Sequence, residues 1–386
     1  MTPFAFNTTP SVRFGAGSSA ELDTIAGRLL GERVLFITDP GIMALGLADK
    51  AIAALERAGH ALALFTEVEP DPSLATLTRA TERALSHGAT GVVGVGGGSS
   101  LDIAKLAALI AGSREDLDEA WGVANAKGPR LPLVLVPTTA GTGSEVTPVS
   151  IITVGGEEKR GVSSPVILPD IAVLDPALTL GLPPAITAAT GVDAMVHAIE
   201  AYASKNANNN PLSKLLARQA LTLLGANIET AVFEGNDIEA RGAMLLGSML
   251  AGQAFANSPV AAVHALAYPI GGTFHVPHGL SNALVLPHVL RFNAPEAAHL
   301  YAEIAADAFP TLADESGAQG RCAAFIEALA DLSRRLGLQT MLREVGIGEA
   351  DLPKMAADAM KQTRLLVNNP REVGEADALS IYRAAL

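Results

Sequence analysis

The stretch GVDAMVHAIEAY (191–202) is apolar apart from Asp193, His197 and Glu200. Read as a helix, it sets Asp193 and His197 one turn apart on one face. A carboxylate and an imidazole so placed can hydrogen-bond each other, or they can ligate a cation together. Further along, HALAYPIGGTFHVPHGLSNALVLPH (264–288) holds four of the eight histidines. His264 falls in an apolar helical pattern, and His278 in the turn Pro277–His278–Gly279. With Asp193 and His197 they offer three imidazoles and one carboxylate. Such N/O donors suit Fe, Zn, Mn, Co or Ni, and the lack of thiolate argues against a structural zinc finger. A simple Asp–His hydrogen bond and satisfied core histidines explain the same spacing, so spacing alone leaves both readings open.

Two glycine-rich loops come earlier. GVVGVGGGSSLDIAK (91–105) reads as a strand, a glycine cluster and a helix. Exposed N–H groups and a helix N-terminus there favour a phosphate, although this is neither G-x-G-x-x-G nor a P-loop. A tight strand–helix turn is the plain alternative. PTTAGTGSEVT (137–147) also follows a strand and carries five Ser/Thr hydroxyls. Two loops at strand ends in an open α/β sheet suggest one long ligand, such as a dinucleotide. Asp39 directly follows the strand VLFIT. An acid there can accept from an adenosine ribose and would repel a 2′-phosphate, favouring NAD over NADP. It can equally cap the turn at Pro40–Gly41.

The elements around these residues form two regions. Strand candidates at 34–38, 61–65, 91–96 and 131–137 alternate with helices at 43–58, 73–87 and 100–111. That alternation implies a parallel sheet covered on both faces, extended by VSIITV (149–154) and DIAVLD (170–175). Beyond LGLPPAIT (180–187) long Ala/Leu-rich helices take over, clearest at 211–233, 238–256 and 320–337. The expected architecture is α/β plus all-α: a Rossmann-like parallel-sheet domain over residues 1–182, then a helical domain over 183–386.

Composition narrows the partners. The 386 residues are 49% hydrophobic and 17% charged, which fits compact globular domains. Net charge is −13, with no Lys/Arg-rich run, so nucleic acid and anionic membrane are disfavoured and a small molecule is expected. The single cysteine, Cys322, allows no intrachain disulfide and fits a reducing cytoplasm. The N-terminus lacks the pattern of a signal peptide, and no stretch reads as a membrane span.

GGGSSLDIAK, PTTAGTGSEVTPVSIIT, GVDAMVHAIEAYAS and VHALAYPIGGTFHVPHGLSNALVLPHVLRFN together resemble the iron-containing (group III) alcohol dehydrogenase family, in order from about Val12 to Asn293. The resemblance implies that Asp193, His197, His264 and His278 ligate a metal, Fe²⁺ with Zn²⁺ as the other choice, facing the cofactor across an interdomain cleft. It makes Gly97, Gly98 and Ser99 the pyrophosphate loop and Thr138, Thr139, Thr142 and Thr147 cofactor-contacting hydroxyls. Lys159 would lie near the nicotinamide ribose, Asp102 near the nicotinamide end, and Asp39 would set the preference for NAD. Glu200, close to the face of Asp193, reads as a partner behind the ligands or as a solvated or ion-paired residue, the latter being favoured. Many relatives carry a second histidine one turn after the third ligand; here that position is Tyr268, and a phenol is a poor proton shuttle at neutral pH. His275 lines the pocket or is ordinary loop polarity.

The expected activity is that of an NAD(H)-linked alcohol dehydrogenase or aldehyde reductase, with a homodimer or larger homo-oligomer as the working form. VTPVSIIT suggests an apolar wall for small to medium primary alcohols, aldehydes or hydroxy acids. A lyase resembling dehydroquinate synthase needs a cation-rich site for a polyanion, and these motifs are poor in Lys and Arg apart from Lys105, Lys159 and Arg160. A non-catalytic dinucleotide sensor would leave a complete ligand set without use.

Overall fold

A computed structural model describes residues 3–155 and 158–386; Met1 and Thr2, which begin the stretch read above for a leader, lie outside them. The strands are β1 (Ser11–Phe14), β2 (Arg33–Ile37), β3 (Ala61–Phe65), β4 (Gly91–Gly96), β5 (Gly122–Val123), β6 (Leu133–Pro137), β7 (Val149–Val154), β8 (Glu158–Ser163) and β9 (Ile171–Leu174). Helices α1 (Leu22–Leu30), α2 (Pro40–Ala44), α3 (Asp49–Arg57), α4 (Leu74–His87), α5 (Gly98–Ser113) and α6 (Leu117–Ala120) lie among them. After β9 come α7 (Pro184–Ala203), α8 (Pro211–Phe233), α9 (Ile238–Asn257), α10 (Ala262–Phe274), α11 (His278–Ala308), α12 (Gly317–Arg335), α13 (Leu352–Ala359), α14 (Thr363–Leu366) and α15 (Glu375–Ala385).

The chain divides into two compact units. One comprises Asn7–Thr139 and Gly143–Leu180; the other comprises Gly181–Leu386 with Ala140–Thr142 and the N-terminal residues up to Phe6. The first holds a six-stranded parallel sheet in the order β1-β9-β6-β4-β2-β3. Its inner strands β4, β6 and β9 read as unbroken apolar runs because both faces are covered. In β2, Val34 and Phe36 pack with Leu22, Leu30 and Leu55 of α1 and α3, while Leu35 and Ile37 pack with Leu77 and Leu101 of α4 and α5. The strand order reverses between β2 and β4, and the carboxyl ends flanking such a reversal are where open α/β sheets bind ligands.

Three local details differ from expectation. The helix expected over 43–58 is two helices, because Gly46 turns left-handed at φ 66° between them. VSIITV does not join the main sheet; it pairs antiparallel with β8 in a small sheet ordered β5-β8-β7. The edge strand β1 carries no strong alternation in sequence and was not foreseen; it pairs with β9.

In the second unit the described residues form no strand, as expected for a helical domain. Helix α7 packs against α8, α9 and α11 and is buried continuously from Gly191 to Ala203. Burial on all sides explains its apolar composition and makes Asp193, His197 and Glu200 conspicuous. No helix among the described residues is long and apolar enough to cross a membrane.

Candidate metal centre and cofactor loops

Helix α7 supplies Asp193 and His197, α10 supplies His264, and α11 opens on His278. One ligand atom from each lies within 4.8 Å of the other three. Close helix approach makes this possible. A Cβ at Gly279 would sit 2.3 Å from the Ala189 carbonyl oxygen, so glycine lets the first turn of α11 lie directly on α7. His278 is therefore the first helical residue, not a turn residue. Its Nε2 lies 3.7 Å from Asp193 Oδ1, and that of His264 lies 3.9 Å away. The His278 side chain is 42% exposed while Asp193 and His264 are buried, so solvent reaches the cluster from the His278 side.

The imidazoles are oriented from behind. His264 Nδ1 donates to Glu200 Oε2 at 2.7 Å, and His197 Nδ1 donates to the Gly141 carbonyl at 3.2 Å. With the proton on Nδ1, Nε2 keeps its lone pair for a ligand. The His197 ring stacks on Phe255 and on His264, at 4.4 and 4.7 Å between centroids. Burial, reinforced by the neighbouring His264 and His278, lowers the His197 pKa to about 3, leaving the neutral imidazole that binds metals. Burial works to raise the Asp193 carboxyl, but His197, His278 and His264, with a hydrogen bond from Asn282, hold it below its ordinary value.

The favoured reading of Glu200 as a solvated or ion-paired residue is corrected. Its side chain is buried, and its oxygens accept from Ala261 N at 3.0 Å and Val263 N at 2.7 Å besides His264. One carboxylate thus holds the start of α10 and the His264 ring together. Asn282, one turn after His278, was not foreseen. Its Nδ2 donates to Asp193 Oδ1 at 2.6 Å and lies 3.3 Å from Nε2 of both His264 and His278. Three acceptors therefore converge on one amide, while Asn282 Oδ1 is buried with no hydrogen-bond partner. A cation among the acceptors would satisfy them, and a half-turn of the amide would bring Oδ1 toward it as well. The donor set fits a divalent metal ion.

Tyr268 lies one turn beyond His264 on α10. Its ring is tilted against His278 at 6.1 Å between centroids, and its hydroxyl accepts from Arg364 Nη2 at 3.3 Å. His275 ends α10 in the left-handed conformation (φ 56°), is exposed, and is not one of the four clustered residues.

In the α/β unit, Asp39 and the glycine loop sit at the ends of adjacent strands β2 and β4. Asp39 Oδ1 caps α2 by accepting from Ile42 N at 2.9 Å, while Oδ2 faces Ser100 Oγ at 3.5 Å. A Cβ at Gly96 (φ 150°) would come within 3.2 Å of Oδ2, so the carboxylate borders the glycine turn. Gly97 caps α5, and Gly98 and Ser99 begin it, where backbone N–H groups lack helical partners. Thr138 N donates to the Gly96 carbonyl at 3.0 Å, and Thr139 lies beside Gly97. Thr142 belongs to the short segment grouped with the helical unit. Lys159 pairs with Asp71 at 2.8 Å and donates to Thr153 Oγ1 at 2.9 Å.

Asp102 accepts from Ser144 Oγ at 2.6 Å and Ile151 N at 2.8 Å, with Lys105 Nζ at 3.7 Å. Lys105 is fully buried and also donates to Ser144 Oγ at 2.8 Å, Thr147 Oγ1 at 3.3 Å and the Val149 carbonyl at 2.7 Å. Burial lowers the Lys105 ammonium to about 8 and raises the Glu145 carboxyl to about 7.

Comparison with known proteins covers both units. The model of the iron-containing alcohol dehydrogenase family matches residues 9–176, and that of the C-terminal part of the Fe-containing alcohol dehydrogenase family matches 187–386. Long-chain-alcohol dehydrogenase 1 of Geobacillus thermodenitrificans is 40% identical over 381 residues, covering 97% of this chain and 95% of that protein. The crystal structure of a 1,3-propanediol oxidoreductase superposes with a TM-score of 0.95 at 34% identity, covering 100% of each chain. Sulfoacetaldehyde reductase from Bifidobacterium kashiwanohense, solved in complex with NAD+, gives a TM-score of 0.87 at 29% identity over 100% of this chain and 99% of that one.

Proposed function

The chain belongs to the iron-containing alcohol dehydrogenase family, and from that premise we propose an NAD-linked alcohol dehydrogenase and aldehyde reductase whose divalent cation is held by Asp193, His197, His264 and His278. The observation that carries the reading is the meeting of four donor atoms within 4.8 Å, two of the imidazoles oriented through Nδ1. A divalent cation held there would supply a Lewis acid for an alcohol or carbonyl oxygen, and a bound NAD would supply the hydride acceptor or donor. Glu200 and Gly141 keep the imidazoles in the ligating tautomer. The exposed side of His278 leaves access for the reacting oxygen. Tyr268 accepts from Arg364, which leaves its own proton free to donate to a substrate oxygen.

Asp39 Oδ2, beside the glycine turn, is placed to accept from ribose hydroxyls and to repel a 2′-phosphate, so NAD is preferred to NADP. The relative solved with NAD+ supports that cofactor. Fe²⁺ is the metal favoured by family membership, with Zn²⁺ compatible with the same donors. The test is absorbance of NADH on mixing metal-loaded protein with NAD and a panel of primary alcohols. NADH should form with at least one alcohol and much more slowly from NADP to NADPH. Absence of both products across the panel, with metal and NAD shown to be bound, overturns the reading.

A further inference from the structure

Helix α14 is short, yet it is held firmly. Asn368 Nδ2 donates to the Arg364 and Val260 carbonyls, both at 3.0 Å. Asn369 and Asn293 exchange side-chain hydrogen bonds at 2.7 and 3.0 Å, tying the same segment to α11. Both amides of this anchor, Asn368 and Asn369, are buried. A buried polar network of this kind fixes geometry, and the side chain it positions at the surface is Arg364.

The Arg364 guanidinium has one polar contact among the described residues, the Tyr268 hydroxyl at 3.3 Å. Among the described residues no carboxylate neutralises it, whereas Arg218, Arg291 and Arg383 of the same unit hold Asp307, Glu327 and Glu349. Tyr268 links the guanidinium to the metal cluster, since the tyrosine ring borders His278, the exposed member of that cluster. An arginine already held by one N–H keeps its remaining donors for bidentate capture of a planar or tetrahedral oxyanion.

We propose that Arg364, positioned by the buried Asn368–Asn369 anchor and by Tyr268, selects alcohols and aldehydes that carry an oxyanion, a carboxylate or a sulfonate, at the end remote from the reacting carbon. The inference rests on the dehydrogenase reading and names its substrate class. Neutral alcohols would occupy the metal-side pocket without the second anchor, so the preference appears mainly in KM.

The test uses three alcohols of equal length with the metal-loaded enzyme and NAD: 3-hydroxypropanoate, 3-hydroxypropanesulfonate and 1,3-propanediol. Each acid's kcat/KM is expressed relative to that of the diol. In Arg364→Gln this ratio should fall by about 10- to 100-fold for the favoured acid, as for loss of a charge-assisted hydrogen bond, mostly through KM. Arg364→Lys should restore part of it, and Tyr268→Phe should lower it less. In the unmutated enzyme the ratio should decline as salt rises, since the charge pairing is screened. Which acid shows the larger drop identifies the oxyanion. An unchanged ratio in Arg364→Gln, or oxidation of the diol with neither acid accepted, overturns the inference and leaves the dehydrogenase reading intact. Turnover of none of the three nor of any other primary alcohol overturns both.

Discussion

Each unit buries a cluster of ionisable side chains, and the two clusters are built on opposite plans. Around Lys105 both signs come from the chain: the ammonium faces Asp102, Ser144, Thr147 and the Val149 carbonyl, and the Asp102 oxygens are taken by Ser144 and the Ile151 amide. Around Asp193 the four clustered side chains offer acceptors, and one amide, Asn282, lies against three of them. Burial of charge is costly in both places. Among the described residues only the second cluster lacks the opposite charge that would offset that cost, and its His278 is the more open to solvent. A buried titratable group is therefore a weak sign of a ligand site; convergent acceptors with no cation of their own are a strong one.

The comparison breaks most visibly at His264. His264→Ala should abolish metal retention and reduce alcohol oxidation by about a thousandfold or more, the scale of the charge stabilisation a catalytic metal supplies. Circular dichroism should show the fold intact. Unchanged metal content measured on the purified variant would place the metal elsewhere.

Lys105→Met makes the converse change. It strips the self-neutralised cluster of its cation and should destabilise the chain by about 3 kcal/mol, as when one partner of a buried pair is removed. Metal stoichiometry should stay at the unmutated value. Denaturant midpoints and elemental analysis on the same sample decide; loss of metal with unchanged stability would erase the contrast between the clusters.

Glu145 sharpens the comparison through pH. Its folded pKa, raised by burial to about 7, lies above its ordinary value of 4.5. The folded chain therefore holds this proton more tightly than the unfolded chain, and the resulting stability is full below about 4.5 and is lost as pH rises toward 7. Glu145→Gln removes that loss. The stability of the variant relative to the parent should increase across this window, by on the order of 2 to 3 kcal/mol, and level off above it. A difference that stays flat with pH contradicts the assignment.

The smallest expected effect is at Glu200. Glu200→Gln keeps the shape but weakens the acceptor behind His264, so metal affinity measured by chelator competition should fall about tenfold. No change in affinity would mean that Glu200 serves only the start of α10.

The sequence displays these two clusters unequally. Asp193 and His197 were legible because helical period alone places them on one face. His264 and His278 were joined to them by resemblance, since no local rule brings three helices together. The approach of α11 to α7 depends on Gly279, whose reason is visible only against Ala189. Glu200 was misjudged for the same cause: period gave its face, but its partner on α10 lies 64 residues away. Asn282 had a local signal, one turn from His278, but polar residues at that spacing are common on helices. Lys105 was noted only as one of three cations in the motifs, because the hydroxyls and carbonyl that solvate it come from the following loop and β7. The parallel sheet was readable from the alternation of strands with helices, whereas VSIITV gave no sign that it would leave that sheet for the pairing with β8.

The central claim is that Asp193, His197, His264 and His278 hold one divalent cation. Anomalous diffraction from crystals of the metal-loaded protein, collected on both sides of the iron and zinc absorption edges, tests it directly. The account predicts one strong peak among the four side chains, about 2.0–2.2 Å from the three Nε2 atoms and an Asp193 oxygen. A map with no peak there, or with the metal bound by other residues, would contradict it.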